Sequence, residues 1–275
     1  MAELNKRIVV AIFGIPLIFL LTFLGGWYFF ALILIIAVVS QWEFYQLQKK
    51  KNINPQNIAG IIIGLVILFG IQLGHLRYTG IVSVIGLMVL ITAEMFRPDK
   101  KVSVNVGVTF LGIFYIPFLL SAMLLLRQYG DEVFKGTSNA GFKFIAVLLA
   151  TIWICDTFAY SFGSKFGRHK LFEKVSPNKS MEGALAGLIG SILTYILVKQ
   201  FAIIPLNWFN AIIFGITVGI VGQTGDLVES WFKRDANVKD TSSLLPGHGG
   251  MLDRFDSLIF LAPVMLILLL ILFKV

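Results

Sequence analysis

VNVGVTFLGIFYIPFLLSAMLLL, residues Val104–Leu126, contains no acidic or basic side chain. As a helix rising 1.5 Å per residue it is about 35 Å long, enough to cross the roughly 30 Å hydrocarbon core of a bilayer. Eight other stretches read the same way: about Ile8–Leu24, Trp27–Trp42, Ile58–Leu73, Gly80–Phe96, Phe144–Phe162, Ala184–Ile204, Trp208–Leu227 and Leu258–Phe273. The expected fold is therefore an all-α polytopic membrane protein of about nine transmembrane helices. Composition agrees. Of the 275 residues, 57% are hydrophobic and 14% charged, against about 45–50% and 25% in soluble domains, and mean hydropathy is +0.86. A soluble sphere of this size has too little interior to hide so many apolar side chains. A soluble enzyme, a disordered chain and a disulfide scaffold are all excluded, the last because Cys155 is the single cysteine. With no long soluble stretch, residues 1–275 are read as one integral-membrane domain, with a helical scaffold over 1–140 and a catalytic part over 141–275.

The formal net charge of +8 would suggest nucleic acid in a soluble protein. Here it is read as topology, and no nucleic-acid partner is expected. Most basic residues fall in one alternating set of connections: Lys6 and Arg7, Lys49–Lys51, Arg97 with Lys100 and Lys101, Lys165 through Lys179, and Lys233 through Arg254. The other set, helix ends included, holds Arg77, Arg127, Lys135, Lys143, Lys199 and Lys274. Cationic loops stay in the cytoplasm, so the N-terminus is placed inside and the C-terminus on the far side. Lys6–Arg7 could introduce a signal peptide, but no A-x-A-like site follows, and the first span is read as retained.

The connections differ. Gly25–Gly26 reads as a tight hairpin, Pro205–Asn207 as a short link, and Gly163–Gly183 and Val228–Ser257 as long polar cytoplasmic loops. Glycines four apart (Gly60/Gly64, Gly70/Gly74, Gly183/Gly187, Gly215/Gly219) predict close helix packing. Glu43 and Glu94 fall at cytoplasmic helix ends and are expected to be solvated.

The chemistry concentrates in GDLVESWFKRDANVKDTSSLLPGHGGMLDRFD, residues Gly225–Asp256. If the eighth helix continues past Leu227, Asp226, Glu229, Ser230 and Lys233 share one face. Carboxylates there suit a hard cation, which can bridge phosphate oxygens. The glycines around His248 permit backbone conformations in which successive N–H groups form an anion nest. His248 itself fits either a turn terminus or a phosphate contact. Asp156 sits inside the sixth span, where a charge costs at least about 2.5–3.5 kcal/mol and needs a partner. That partner is either a buried packing pair or a polar pocket shared with Asp226 and Asp253. Glu182, in the first turn of the seventh helix, suits a capping role.

The run Ser230-Trp-Phe-Lys233-Arg234-x4-Lys239-Asp240-x-Ser242-x2-Leu245-Pro246-x-His248-Gly249-Gly250-Met251-x-Asp253-Arg254-Phe255-Asp256 resembles the signature of the phosphatidate cytidylyltransferases, the CDP-diacylglycerol synthases. Ser176-Pro177-Asn178-Lys179-Ser180-Met181-Glu182-Gly183 resembles that family's S-P-x-K-[ST]-x-E-G element, and Asp156, Ala159 and Tyr160 its D-x-x-A-Y element. The resemblance implies transfer of a cytidylyl group from CTP to phosphatidate, releasing pyrophosphate, in a cytoplasmic (inner) membrane with the active site facing the cytoplasm. It implies Mg²⁺, with room for a second cation, held by Asp226 and Asp253. It places Asp226, Lys233, Arg234, Lys239, Asp240, Asp253, Arg254 and Asp256 in catalysis. Asp156, Asn178, Lys179, Ser180, Ser230, His248, Gly249 and Gly250 fall to substrate binding, with Lys179 near the lipid headgroup. A homodimer is compatible with the resemblance. A polyprenol kinase, a CDP-isoprenoid-lipid synthase and a transporter are the alternatives; the last would need a polar path across the non-cytoplasmic half, where ionisable residues are few.

Overall fold

A computed structural model describes residues 2–98, 101–244, 247 and 249–274, with side chains from residue 12 onward. His248 lies outside the described residues, as do Leu245 and Pro246 of the same run. Nine helices occur among the described residues: α1 (Ala2–Leu24), α2 (Gly26–Lys49), α3 (Asn57–Gln72), α4 (Leu76–Glu94), α5 (Val102–Val133), α6 (Ala140–Phe166), α7 (Met181–Gln200), α8 (Trp208–Asp235) and α9 (Leu252–Phe273). Seven are long and apolar enough to cross a membrane; the described part of α1, Ile12–Leu24, and α3 are shorter apolar helices. The protein is an integral membrane protein. An addition to the all-α expectation is a small antiparallel hairpin, β1 (Lys170–Phe172) and β2 (Ser176–Ser180), which pairs Lys170 with Ser180 and Phe172 with Ser176. It satisfies backbone groups of a long polar loop and buries Val175.

The chain forms two compact units, one of Met1–Leu124 with Asp235–Phe255, the other of Leu125–Arg234 with Asp256–Val275. In the first, α1 turns into α2 at Gly25 and Gly26, whose φ values of +64° and +50° are left-handed conformations that a side chain would resist. Pro117 lies in a single π-turn, Phe114–Phe118, within α5; the wider turn tolerates the missing N–H. Tyr45 of α2 is fully buried. Its hydroxyl donates to the Thr109 carbonyl at 2.8 Å and accepts from Gln41 Nε2 at 3.0 Å.

Two expectations are corrected in this unit. Glu94 is 1% exposed rather than solvated. Its carboxylate pairs with Arg97 Nη1 at 2.9 Å and accepts from Gln56 Nε2 at 2.6 Å and Asn105 Nδ2 at 3.0 Å. Glu43 is fully buried as well and accepts from Thr241, Ser242, Met251 and Leu252. A carboxylate can leave water when donors replace the lost hydration. In both cases most of those donors lie far away in the sequence.

In the second unit α6, α7 and α8 pack through small residues, as the glycine spacing predicts. A Cβ on Gly183 would lie 2.7 Å from the Ala159 carbonyl, and one on Gly187 would lie 3.0 Å from that of Cys155, bringing α6 against α7. Gly215 and Gly219 meet the α7 backbone at Ile192 and Leu188 in the same way. A buried aromatic cluster of Phe144, Tyr195 and Phe214 fills the centre. A second π-turn, Val218–Gly222, precedes the acidic part of α8. There Gln223 Nε2 donates to the Gly219 carbonyl at 2.6 Å and crosses to the Ala184 carbonyl of α7 at 3.0 Å.

Candidate active site

The eighth span does continue past Leu227: α8 runs to Asp235, and its last turns carry Asp226, Glu229, Ser230 and Lys233 on one face. Gly225 is the point of closest approach to α9. A Cβ there would lie 2.9 Å from the Asp256 carbonyl and 2.9 Å from Phe260 Cβ, so only hydrogen lets the two helices meet. The consequence is an acidic triad. Carboxylate oxygens of Asp226, Glu229 and Asp256 lie within 4.8 Å of one another. Glu229 and Asp256 are buried and Asp226 is partly open.

Three carboxylates this close repel unless positive charge compensates. Lys233 Nζ pairs with Glu229 Oε2 at 2.6 Å and Lys179 Nζ with Asp226 Oδ2 at 2.5 Å. Ser230 Oγ donates to Asp226 Oδ1 at 3.3 Å. Asp226, Lys233 and Asp156 are the charges that bear on Asp256, which places Asp156, an exposed residue of α6, in electrostatic reach of the triad. Lys179 reaches Asp226 because β2 delivers it. The hairpin is fastened by Arg234 Nε, which donates to the Val175 carbonyl at 3.2 Å, and by Glu182. The Glu182 carboxylate accepts from the Arg168 and His169 amides at 3.1 and 3.3 Å and meets His169 Nδ1 at 2.7 Å. Helix capping falls instead to Ser180, whose Oγ accepts from the Gly183 amide at 3.1 Å. Asn178 is exposed on the hairpin.

Asp253, expected to share the cation with Asp226, is used differently. Its Oδ2 accepts from the Thr241 amide at 3.0 Å, Thr241 Oγ1 at 2.9 Å and the Gly250 amide at 2.7 Å. Asp253 thereby ties the first turn of α9 to the glycine segment, and the Gly250 N–H, expected to face a phosphate, is committed to that bond. Gly249 adopts φ +82°. Lys239, Asp240 and Arg254 are exposed. The residue that the sequence reading passed over is Glu229. It was placed on the right face of α8, but its neighbour from α9 depends on the close approach at Gly225, which a linear pattern does not encode.

Oxygen-only donors in a small buried group suit a hard divalent cation such as magnesium, and lysines flanking them suit phosphate oxygens. The arrangement thus defines a class, a helical membrane protein with a built-in site for a cation and polyphosphate. Comparison with known proteins gives the particular family. The profile of the cytidylyltransferase family matches residues 5–272, and the chain belongs to that family. It is 32% identical to a phosphatidate cytidylyltransferase of Synechocystis sp., with 94% of each chain covered. It is 35% identical to one of Staphylococcus aureus, covering 85% of this chain and 96% of the relative, and 27% identical to one of Bacillus subtilis, covering 98% of each.

Proposed function

We propose that this protein transfers a cytidylyl group from CTP to phosphatidate, forming CDP-diacylglycerol and pyrophosphate, at the cytoplasmic face of the cytoplasmic membrane. The observation that carries the reading is the triad of Asp226, Glu229 and Asp256, flanked by Lys179 and Lys233, in a chain whose relatives bear that name. The nucleophile is an oxygen of the lipid phosphate. A phosphate monoester has its second pKa near 6, so it is largely a dianion at neutral pH and no strong general base is needed. A bond forms from that oxygen to the α-phosphorus of CTP. The bond from the α-phosphorus to the bridging oxygen breaks, and pyrophosphate leaves with the electron pair.

The obstacle is electrostatic: two polyanions must meet and negative charge must collect on the leaving group. Asp226, Glu229 and Asp256 would hold Mg²⁺, which supplies phosphate bridging and charge neutralisation when bound. Lys179 and Lys233 already stand at those carboxylates, and Arg234, Lys239 and Arg254 add positive charge for phosphate oxygens. Ser230 keeps Asp226 oriented. Phosphatidate reaches such a site sideways from the leaflet and CTP reaches it from the cytosol, which explains why an enzyme of a water-soluble nucleotide is built from spanning helices.

The test is release of pyrophosphate by the purified protein in mixed micelles given CTP, Mg²⁺ and phosphatidate. Release that requires all three is the expected result. No release with phosphatidate, or release only with a polyprenyl phosphate, overturns the proposal.

A further inference from the structure

Glu43 stands out because a lone carboxylate near the end of α2 holds both flanks of the glycine segment. Oε1 accepts from Ser242 Oγ at 2.5 Å and from the Met251 amide at 3.0 Å. Oε2 accepts from the Leu252 amide at 2.8 Å and lies 3.2 Å from Thr241 Oγ1. Thr241 and Ser242 precede Gly247, whereas Met251 and Leu252 follow Gly250 and open α9. The amides that start a helix have no partner inside it and favour negative charge, so Glu43 satisfies two such donors from 208 and 209 residues away in the sequence.

The contact also explains Gly250. A Cβ at that position would lie 2.5 Å from Glu43 Oε2. Since its N–H already donates to Asp253, the glycine is needed to let the segment close onto the Glu43 carboxylate. Asp253 secures the segment from within, through Thr241 and Gly250, while Glu43 secures it from α2. The neighbours of Glu43 on α2, Phe44, Tyr45 and Leu47, are fully buried apolar or aromatic anchors. The helix therefore keeps its place without the carboxylate, and the burden of losing Glu43 falls on the segment.

We propose that Glu43 is a positioning residue of the cytidylyl-transfer site, holding Thr241–Ser242 and Gly249–Leu252 in the conformation that receives nucleotide phosphate. The inference rests on the cytidylyltransferase reading. It assigns Glu43 no contact with the reacting atoms, because both of its oxygens are occupied by protein donors.

The test is Glu43→Gln, which keeps the volume but turns one acceptor into a donor facing donors. The KM for CTP is expected to rise about tenfold or more, the scale of losing charge-assisted hydrogen bonds, while the KM for phosphatidate and the melting temperature stay near parental values. Glu43→Asp should recover part of the CTP affinity. Amide hydrogen exchange at Met251 and Leu252, measured without substrate, should accelerate about tenfold or more in the Gln variant as the protection of those bonds is lost. If Glu43→Gln does not fold, Ser242→Ala removes one donor and should give an intermediate change in both readouts. Parental exchange rates and parental CTP affinity in whichever variants fold overturn the proposal. A parent chain without CTP-dependent turnover counts against the cytidylyl-transfer reading instead, and the exchange rates still decide what Glu43 holds.

Discussion

The charges of Asp226, Glu229 and Asp256 sit together only because Lys179 and Lys233 sit with them. Burying a carboxylate beside two others is costly in a medium of low polarity, and a fold would not keep that arrangement for packing alone. Replacing each in turn with its amide keeps shape and removes charge. Asp226→Asn, Glu229→Gln and Asp256→Asn should each lower Mg²⁺-dependent pyrophosphate release about 100-fold or more, as expected when charge stabilisation of a transferring phosphoryl group is lost. A magnesium titration of turnover checks this, and near-parental activity in all three variants would dissolve the triad as a cation site. Much of this was legible beforehand. The spacing of Asp226, Glu229 and Lys233 along a helix put them on one face without any coordinates, and the motif resemblance added Asp256. The cation partner expected for Asp226 was Asp253, one helical turn short of Asp256. Spacing cannot choose between two acids on the same helix face when Thr241 and Gly250 compete for one of them. Glu43 was illegible for a plainer reason. Its donors lie 198 or more positions away, and a charge at a helix end reads as solvated unless something is known to cover it.

Helices here do more than span. Both α2 and α8 run beyond their apolar stretches, and the polar extensions carry Glu43 on one and the acidic face on the other. Helix α9 starts before its apolar run, so that Asp253 and Asp256 lie in its first turns. Hydropathy marks where a helix is immersed, not where its hydrogen bonding stops, and this is why the expected spans fell short at these ends. The two-residue turn at Gly25–Gly26 was readable from composition, whereas the β1–β2 hairpin was not, because its strands are short and lack an alternating apolar pattern. Gly225 sets how closely α8 and α9 approach. Gly225→Ala should be tolerated poorly and Gly225→Val worse, since overpacking a tight contact costs about 1–3 kcal/mol. The helices would relieve it by parting, which spreads the Asp226–Asp256 pair. The expected signature is a rise in the Mg²⁺ concentration needed for half-maximal turnover, about tenfold for Gly225→Val, larger than the change in the KM for CTP. A drop in maximal turnover with unchanged magnesium dependence would show that Gly225 does not act through the triad.

Large apolar side chains line the outside of this molecule, among them Ile81, Val84, Ile85, Met88 and Ile91 of α4. In water such a surface would aggregate; in a bilayer it is the solvated face. How often the chain crosses is a sharper matter, because α3 has 16 residues and spans only about 24 Å at 1.5 Å per residue. A short span is accommodated by local thinning of the bilayer or by neighbouring helices, at a fraction of a kcal/mol per Å. The charge bias requires that it cross, since Lys49–Lys51 and the basic residues of the β1–β2 connection belong to the same side only if α3, α4, α5 and α6 all traverse. Cys155 is buried and can be replaced by Ala to give a background without thiols. Single cysteines at Lys50, Lys135 and Lys174, three exposed positions, then report the sidedness of three connections. In intact cells whose outer face is open to the reagent, an impermeant maleimide should label Lys135→Cys alone, and permeabilisation should expose Lys50→Cys and Lys174→Cys. Labelling of Lys50→Cys from outside together with protection of Lys174→Cys would mean that an odd number of helices separates them, and α3 would be the one that fails to cross. Labelling of Lys174→Cys from outside would reverse the proposed orientation and put the triad on the side where CTP is absent.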